Sequence, residues 1–335
     1  QLKTISQLNM KYAREYAEVV ADVISDLKEK NVHIVTEKEV DEVQLDFVRN
    51  FYREKLMGRI SPVWFDRLSH FEKESDDKIY MLVEMSKEGQ KSSQHAFFSL
   101  PVESVGRWII LPRPKDNEGQ GVYVMYLDDL VRSSLPFVFP GIPFASFEAW
   151  TFKFTRDAEM EIDREFREGV MQKISKGVKS RKEGVPLRIV YDASMPNGLM
   201  RKIKSHLVGN SPLSTVVAGG RYQNHKDMMS FPNCGVEGLR YPKWIPIMNG
   251  EFHGEESIFS VIRSKDRMLH VPYHSFDGYI RLLNEAAIDP RVKSIKTTLY
   301  RLAKDSKVIR ALICAALNGK KVTVIIELLA RFDEA

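Results

Sequence analysis

Residues 294–328, SIKTTLYRLAKDSKVIRALICAALNGKKVTVIIEL, carry a complete strand–helix–strand pattern. Ser294 to Arg301 is rich in Ile, Thr, Leu and Tyr, side chains that suit a pleated backbone, and is expected as a strand. Ser306 to Leu317 follows as a helix, with Val308, Ile309, Leu312, Ile313 and Ala316 expected on one apolar face. Asn318-Gly319 is a helix stop, and Val322 to Leu328 reads as a second strand. A crossover of this kind is almost always right-handed and places its two strands parallel in one sheet, adjacent or nearly so.

Parallel strands bring their carboxyl ends to the same edge, the edge at which open α/β sheets bind ligands. Arg301 closes the first strand and Arg331 lies just beyond the second, so the crossover should bring two guanidinium groups to one crevice. Two planar, permanently charged donors suit a phosphate or carboxylate better than a neutral ligand. Between Arg291 and Ala335 there are 10 Lys/Arg against 4 Asp/Glu, a local field of the same sign. The competing reading is structural: Arg301 and Arg331 pair with Asp305 and Asp333 on the rim of the sheet.

Upstream, Leu8, Tyr12, Tyr16, Val19, Val23 and Leu27 recur at helical spacing, ended by Asn31, and a second helical stretch from Gln44 to Met57 is closed by Gly58. Residues 1–58 therefore read as a helical unit of slightly acidic balance, 9 Lys/Arg against 11 Asp/Glu. From Pro62 short β-rich runs follow, Ile79 to Met85, Ala96 to Leu100, Val122 to Leu127 and Phe147 to Phe154, separated by clusters such as Pro112-Arg113-Pro114-Lys115-Asp116-Asn117. Helices at about 158–182 and at Pro196 to Leu207, with a strand from Leu187 to Tyr191 between them, complete an α+β unit over 59–247. The fold class expected is thus a multidomain chain, α+β and α/β, with the βαβ unit in 248–335.

Size and composition agree with two or three domains: 335 residues, 43% hydrophobic and 28% charged, with a net charge of +5. Cys234 and Cys314 are too few and too far apart for a zinc cluster or a disulfide framework, and both are expected as buried thiols in a reducing cytoplasm. The greasiest segments, 135–144 and 322–330, are short and broken by Pro140, Pro143 or Glu327, so no membrane helix is expected. The chain opens on Gln1 without a signal-peptide pattern, and an upstream portion is expected to be missing.

The run from Ser294 through Tyr300-Arg301 to Ser306, with Asn318-Gly-Lys-Lys-Val-Thr-Val and Glu327-Leu-Leu-Ala-Arg331-Phe-Asp-Glu334, resembles the first catalytic domain of the bacterial polyphosphate kinases. Thr155-Arg-Asp-Ala-Glu159, Asn249-Gly250-Glu251 and Leu269-His-Val-Pro-Tyr-His-Ser-Phe-Asp277 resemble the same family in the same order. The resemblance implies a remnant of a helical N-terminal domain (1–58), a head domain involved in dimerisation (59–247) and the beginning of the first phospholipase D-like domain (248–335). It implies transfer of the ATP γ-phosphate to a growing polyphosphate chain, release of ADP, a homodimer or higher oligomer, and a cytoplasmic enzyme, with peripheral membrane association as an open alternative. Arg301 and Arg331 map onto the family's magnesium and phosphate site. Guanidinium has no free lone pair, so their link to Mg²⁺ would run through phosphate oxygens or water.

The family's nucleophile is a histidine downstream of the Ala-Arg-Phe-Asp-Glu segment. No histidine follows His274 here, so the chain as it stands is expected to be unable to turn over. Two other classes remain open: a phospholipase D-like phosphodiesterase, and a non-catalytic module binding polyanions or nucleic acid.

His270 and His274 are separated by Pro272 and are not expected to share a helix face as metal ligands. Gly219-Gly220 reads as a turn, and Gly319-Lys320 has Cys314 where a P-loop needs glycine, which excludes a P-loop ATPase. Glu159, Glu161 and Asp163 read as helix-start carboxylates. Residues 164–188 carry 8 Lys/Arg against 3 Asp/Glu, with Lys173, Lys176 and Lys179 at helical spacing. A solvated face competes there with a polyanion track. With Phe166 as the only aromatic side chain available to stack on bases, a polymer without bases is favoured over a specific nucleic acid.

Overall fold

The computed structural model describes residues 2–67, 78–89, 93–115, 121–156, 186–208, 215–248, 250–254, 256–300 and 305–326. The chain divides into two compact units, Gln1–Leu239 and Arg240–Ala335.

The first unit opens with α1 (Leu2–Glu29), which ends where Asn31 turns to φ 58°. β1 (Val32–Val35) follows, then α2 (Glu42–Phe51). Asp41 starts α2 with a reciprocal cap: its carboxylate accepts the Gln44 N–H at 2.9 Å while the Gln44 side chain reaches back to the Asp41 N–H. The same carboxylate takes the Lys115 N–H at 2.7 Å, and Gln44 donates to the Pro112 carbonyl, so the Pro-rich loop is pinned to the helix start. The helix expected through Met57 changes at Tyr52–Leu56 into a wider π turn, after which Gly58 at φ 77° closes it.

Then come β2 (Val63–Trp64), β3 (Tyr80–Ser86), β4 (Ser93–Ser99), α3 (Val102–Val105), β5 (Trp108–Leu111), β6 (Val122–Tyr126), α4 (Leu127–Ser133), α5 (Leu135–Val138), β7 (Ser146–Arg156), β8 (Pro186–Asp192), α6 (Asn197–Val208) and β9 (Thr215–Gly219). β1-β6-β5 form one sheet and β2-β4-β3-β7-β8-β9 another. In the larger sheet only β8 and β9, joined through α6, run parallel; its other pairs are antiparallel.

Strand β3 shows why this sheet is central. Met81, Val83 and Met85 face one way, into a core shared with Val48 of α2, Tyr52, Leu56, Ile109 of β5, Met125 of β6 and Leu130 of α4. Tyr80 and Leu82 face the other way, onto Phe97, Phe152 and Phe154, and this side is covered by Leu199, Met200, Ile203 and Leu207 of α6. Both faces are buried, which explains the near-continuous apolar run in β3. The smaller sheet carries a further cluster, Val32, Trp108, Val124 and Tyr126, covered by Leu27 of α1 and by Tyr222, Met228 and Phe231 from the segment after β9.

The second unit holds α7 (Gly250–His253), α8 (Ile258–Ser264), α9 (Asp277–Ile288), β10 (Ser294–Leu299), α10 (Lys307–Leu317) and β11 (Lys321–Ile326). Its core joins Ile280, Leu283, Ala286 and Ala287 of α9 to Ile295 of β10 and to Val308, Ala311, Leu312 and Ala315 of α10.

Two expectations need correction. The buried stripe of α10 is Val308, Ala311, Leu312 and Ala315, whereas Ile313 and Ala316 are exposed; the i, i+3, i+4, i+7 row that meets α9 uses the small alanines, which let the two helices approach. Cys314 lies off that row and is exposed, and Cys234 is half-buried, so neither thiol is fully buried. The helix expected at about 158–182, the carboxylates Glu159, Glu161 and Asp163, and Lys173, Lys176 and Lys179 lie outside the described residues. Among the described residues no helix is long and apolar enough to cross a membrane.

Candidate functional site

The βαβ unit forms as its sequence pattern requires. β10 and β11 are adjacent and parallel, in a register that runs from Ser294 opposite Lys321 to Leu299 opposite Ile326. Alternation sets the faces: Ile295, Thr297 and Leu299 share the helix-covered side with Val322, Val324 and Ile326, and Lys296, Thr298 and Thr323 share the other. Arg301 stands two positions after Leu299 in sequence and Arg331 five after Ile326, and both lie outside the described residues.

α9 precedes β10 through a short turn and α10 follows it, so the N-termini of both helices come to the edge where the strands end. Lys307, at the start of α10, pairs with Asp277 at the start of α9 at 3.3 Å. Two helix starts bring the positive ends of two macrodipoles to this edge. Ser306 caps α10, its hydroxyl oxygen accepting the Ile309 N–H at 3.4 Å, and Asp277 is steadied by the Ser275 hydroxyl at 3.1 Å. Asp305, the proposed rim partner of Arg301 in the structural reading, accepts from Arg310 at 2.6 Å.

The segment before α9 is clamped onto that helix. Arg281 donates to the Phe252 carbonyl at 2.8 Å and to the Glu256 carbonyl, and Glu285 accepts from the Ser257 hydroxyl and from the Ile258 N–H at 2.8 Å, capping α8. A side chain at Gly278 would press on Phe252 at 3.0 Å, so the close approach depends on glycine there. Glu251 binds Lys265 at 3.1 Å and Arg267, and these two cations hold its carboxyl below the usual range. The His270 backbone N–H donates to His274 Nδ1 at 3.1 Å with the two rings 6.5 Å apart, an arrangement in which His274 already spends one ring nitrogen. Among the described residues no three His, Cys, Asp or Glu side chains gather in a metal-holding group. Of the remaining signals, Gly219 ends β9, where a Cβ would meet Val190 at 2.9 Å.

Sequence reasoning missed the buried charges of the first unit, among them Arg107, Asp128, Asp129 and Arg132. The adjacent Asp128-Asp129 at a helix start was the available signal.

The fold is that of an α+β multidomain protein whose second unit is a parallel βαβ crossover. The polyphosphate kinase middle domain family matches residues 43–231, and polyphosphate kinase C-terminal domain 1 matches residues 257–335. The chain is 33% identical over 327 residues to the polyphosphate kinase of Vibrio parahaemolyticus, covering 97% of this chain and 46% of that one. It is 32% identical over 332 residues to the polyphosphate kinase of Escherichia coli K12, covering 97% and 47%. The crystal structure of polyphosphate kinase from Porphyromonas gingivalis superposes with a TM-score of 0.71 at 28% identity, covering 99% of this chain and 47% of that chain. The chain belongs to the polyphosphate kinase family, and it spans about half the length of these relatives.

Proposed function

We propose that this chain is the phosphate-gripping portion of an ATP:polyphosphate phosphotransferase. In this reading Arg301 and Arg331 hold the anion at the carboxyl edge of β10 and β11. A histidine beyond Ala335 attacks the γ-phosphorus: a P–N bond forms, the bond from the β–γ bridging oxygen to the γ-phosphorus breaks, and ADP leaves. The phosphoryl group then passes to a terminal oxygen of polyphosphate as the P–N bond breaks. The chain alone, with no histidine after His274, is expected to bind without turnover. Residues 59–247 act as the head of a cytoplasmic homodimer or higher oligomer, 1–58 as part of a helical domain, and 248–335 as the start of the catalytic domain.

The observation that supports this reading is the parallel register ending at Leu299 and Ile326, which brings the described ends of both strands to one edge. The two helix starts beside the edge support it. Guanidinium has no free lone pair, so Arg301 and Arg331 would meet any Mg²⁺ only through phosphate oxygens or water. When bound, Mg²⁺ would neutralise phosphate charge; the arginines contribute hydrogen bonds and orientation.

The test is anisotropy of labelled polyphosphate titrated with the chain. Arg301→Ala and Arg331→Ala should each weaken binding by about 10- to 100-fold, as loss of one charged hydrogen-bond donor predicts. Affinity unchanged in both variants would refute the assignment. RNA displacing polyphosphate at equal charge would favour a nucleic-acid module instead.

A further inference from the structure

The first unit contains a group of buried charges that plays no part in the reading above. The first turn of α4 carries two adjacent buried carboxylates, Asp128 and Asp129, and the segment after β9, residues 221–231, crosses over them. Asp129 is well supplied with donors. Its Oδ1 accepts from Arg132 Nη1 at 2.6 Å and Arg221 Nη2 at 2.9 Å, and its Oδ2 accepts from the Tyr222 hydroxyl at 2.6 Å. Arg221 also reaches Glu37 at 2.5 Å.

Asp128 is served on one side only. Arg107 Nη2 donates to its Oδ1 at 3.0 Å and to the Gln223 carbonyl at 3.2 Å. Asp128 Oδ2 accepts from no protein atom among the described residues, and Arg107 Nε and Nη1 donate to none. Arg107 Nη1 makes a long ion pair with Asp227 Oδ2 at 3.5 Å, and that buried oxygen accepts no hydrogen bond among the described residues. The Arg107 side chain is 1% exposed, that of Asp128 0% and that of Asp227 15%, with the Tyr126 ring 5.5 Å from the guanidinium carbon.

An unsatisfied buried polar atom costs about 1–3 kcal/mol, and more when charged, so four around one guanidinium would consume much of a domain's stability. A partner that satisfies these atoms has to offer hydrogens to two carboxylate oxygens and lone pairs to two guanidinium nitrogens. A cation would be repelled by Arg107, and an anion by Asp128 and Asp227. Water has two hydrogens and two lone pairs, and typically makes about three hydrogen bonds in such places.

We infer that one or two water molecules are bound between the guanidinium of Arg107 and the carboxylates of Asp128 and Asp227, forming a hydrated joint that fastens residues 221–231 to the three-stranded sheet. The joint lies beside a direct bond of the same segment, from Trp108 Nε1 to the Asp227 carbonyl at 2.9 Å. Water here divides the labour. The Asp129 side of the segment is fixed by direct charged contacts, and the Asp128 side by contacts that the solvent completes.

A crystal structure of the unmodified chain at a resolution that orders internal water tests this. The expected result is spherical density within about 2.7–3.2 Å of Arg107 Nε or Nη1 and of Asp128 Oδ2 or Asp227 Oδ2. It should give no anomalous signal after soaking in thallium or bromide salts. A guanidinium re-seated directly on both carboxylates with no density between them, or an anomalous peak at the position, would overturn the inference. In solution, the Arg107 Nε–H should show a water cross-relaxation signal with the sign of a long-lived complex; its absence counts against bound water whatever the crystal holds.

Discussion

Asp289 shows how much one side chain's surroundings can change its chemistry. Arg291 donates to it through its side chain, at 2.7 Å from Nη2, and through its backbone N–H at 2.8 Å. Those bonds hold the carboxyl at about 2. A depressed acid contributes stability that is present above its unfolded value of 3.8 and lost as pH falls toward 2. A carbon-detected titration should find Asp289 titrating near 2 and moving back toward 3.8 in Arg291→Ala; an unmoved midpoint would sink the pairing. Asp128 behaves oppositely. Burial raises its value against the pull of Arg107, so its contribution is fullest at low pH and declines as pH rises through the folded value. The Asp289 pair is two residues apart and lies within reach of sequence reasoning. The Arg107 contacts are 21 and 116 residues distant, and nothing in composition or spacing announces a partner that only the fold brings close.

At the scale of elements, periodicity located α10 and β10 to within a few residues, because a helix beside a parallel strand leaves a strong pattern. It could not say which way the helix turns. Leu312 is 4% exposed and Ile313 55%, although both are large, apolar and adjacent. Leu312→Ala should therefore cost about 2–5 kcal/mol in denaturant unfolding, and Ile313→Ala less than about 1 kcal/mol. Equal losses would mean that the stripe was assigned to the wrong side. α1 teaches the same lesson. The repeat of Leu8, Tyr12, Tyr16, Val19 and Val23 correctly marks a helix, yet all five are exposed, and it is Leu27 that joins the core of the smaller sheet. Periodicity reports a helix; contact depends on what the rest of the chain puts beside it. β1 escaped notice because four residues after a long helix carry too short a signal, and it owes its place to parallel pairing with β6. The candidate arginines were legible only as far as topology allowed: strand order and direction follow from the crossover rule, whereas side-chain direction does not.

For the molecule as a whole, two compact units with separate apolar cores predict calorimetric unfolding that is not a single two-state step. Ile203, fully buried under the larger sheet, and Leu312, buried between α9 and α10, report on one unit each. Ile203→Ala should lower one transition and Leu312→Ala the other; a single transition shifted by both would show that the units melt together.

The segment after β9 has a mechanical consequence. β9 is the outermost strand of its sheet, yet the chain leaving it is stitched at once to Thr151 of β7 through the Arg221 carbonyl, to Asp129 of α4, and to Trp108 of β5. Tension arriving along the backbone from residue 232 onward would meet those stitches before it could peel β9 away. The border of the larger sheet is thereby shielded from forces that would otherwise unzip it one residue at a time.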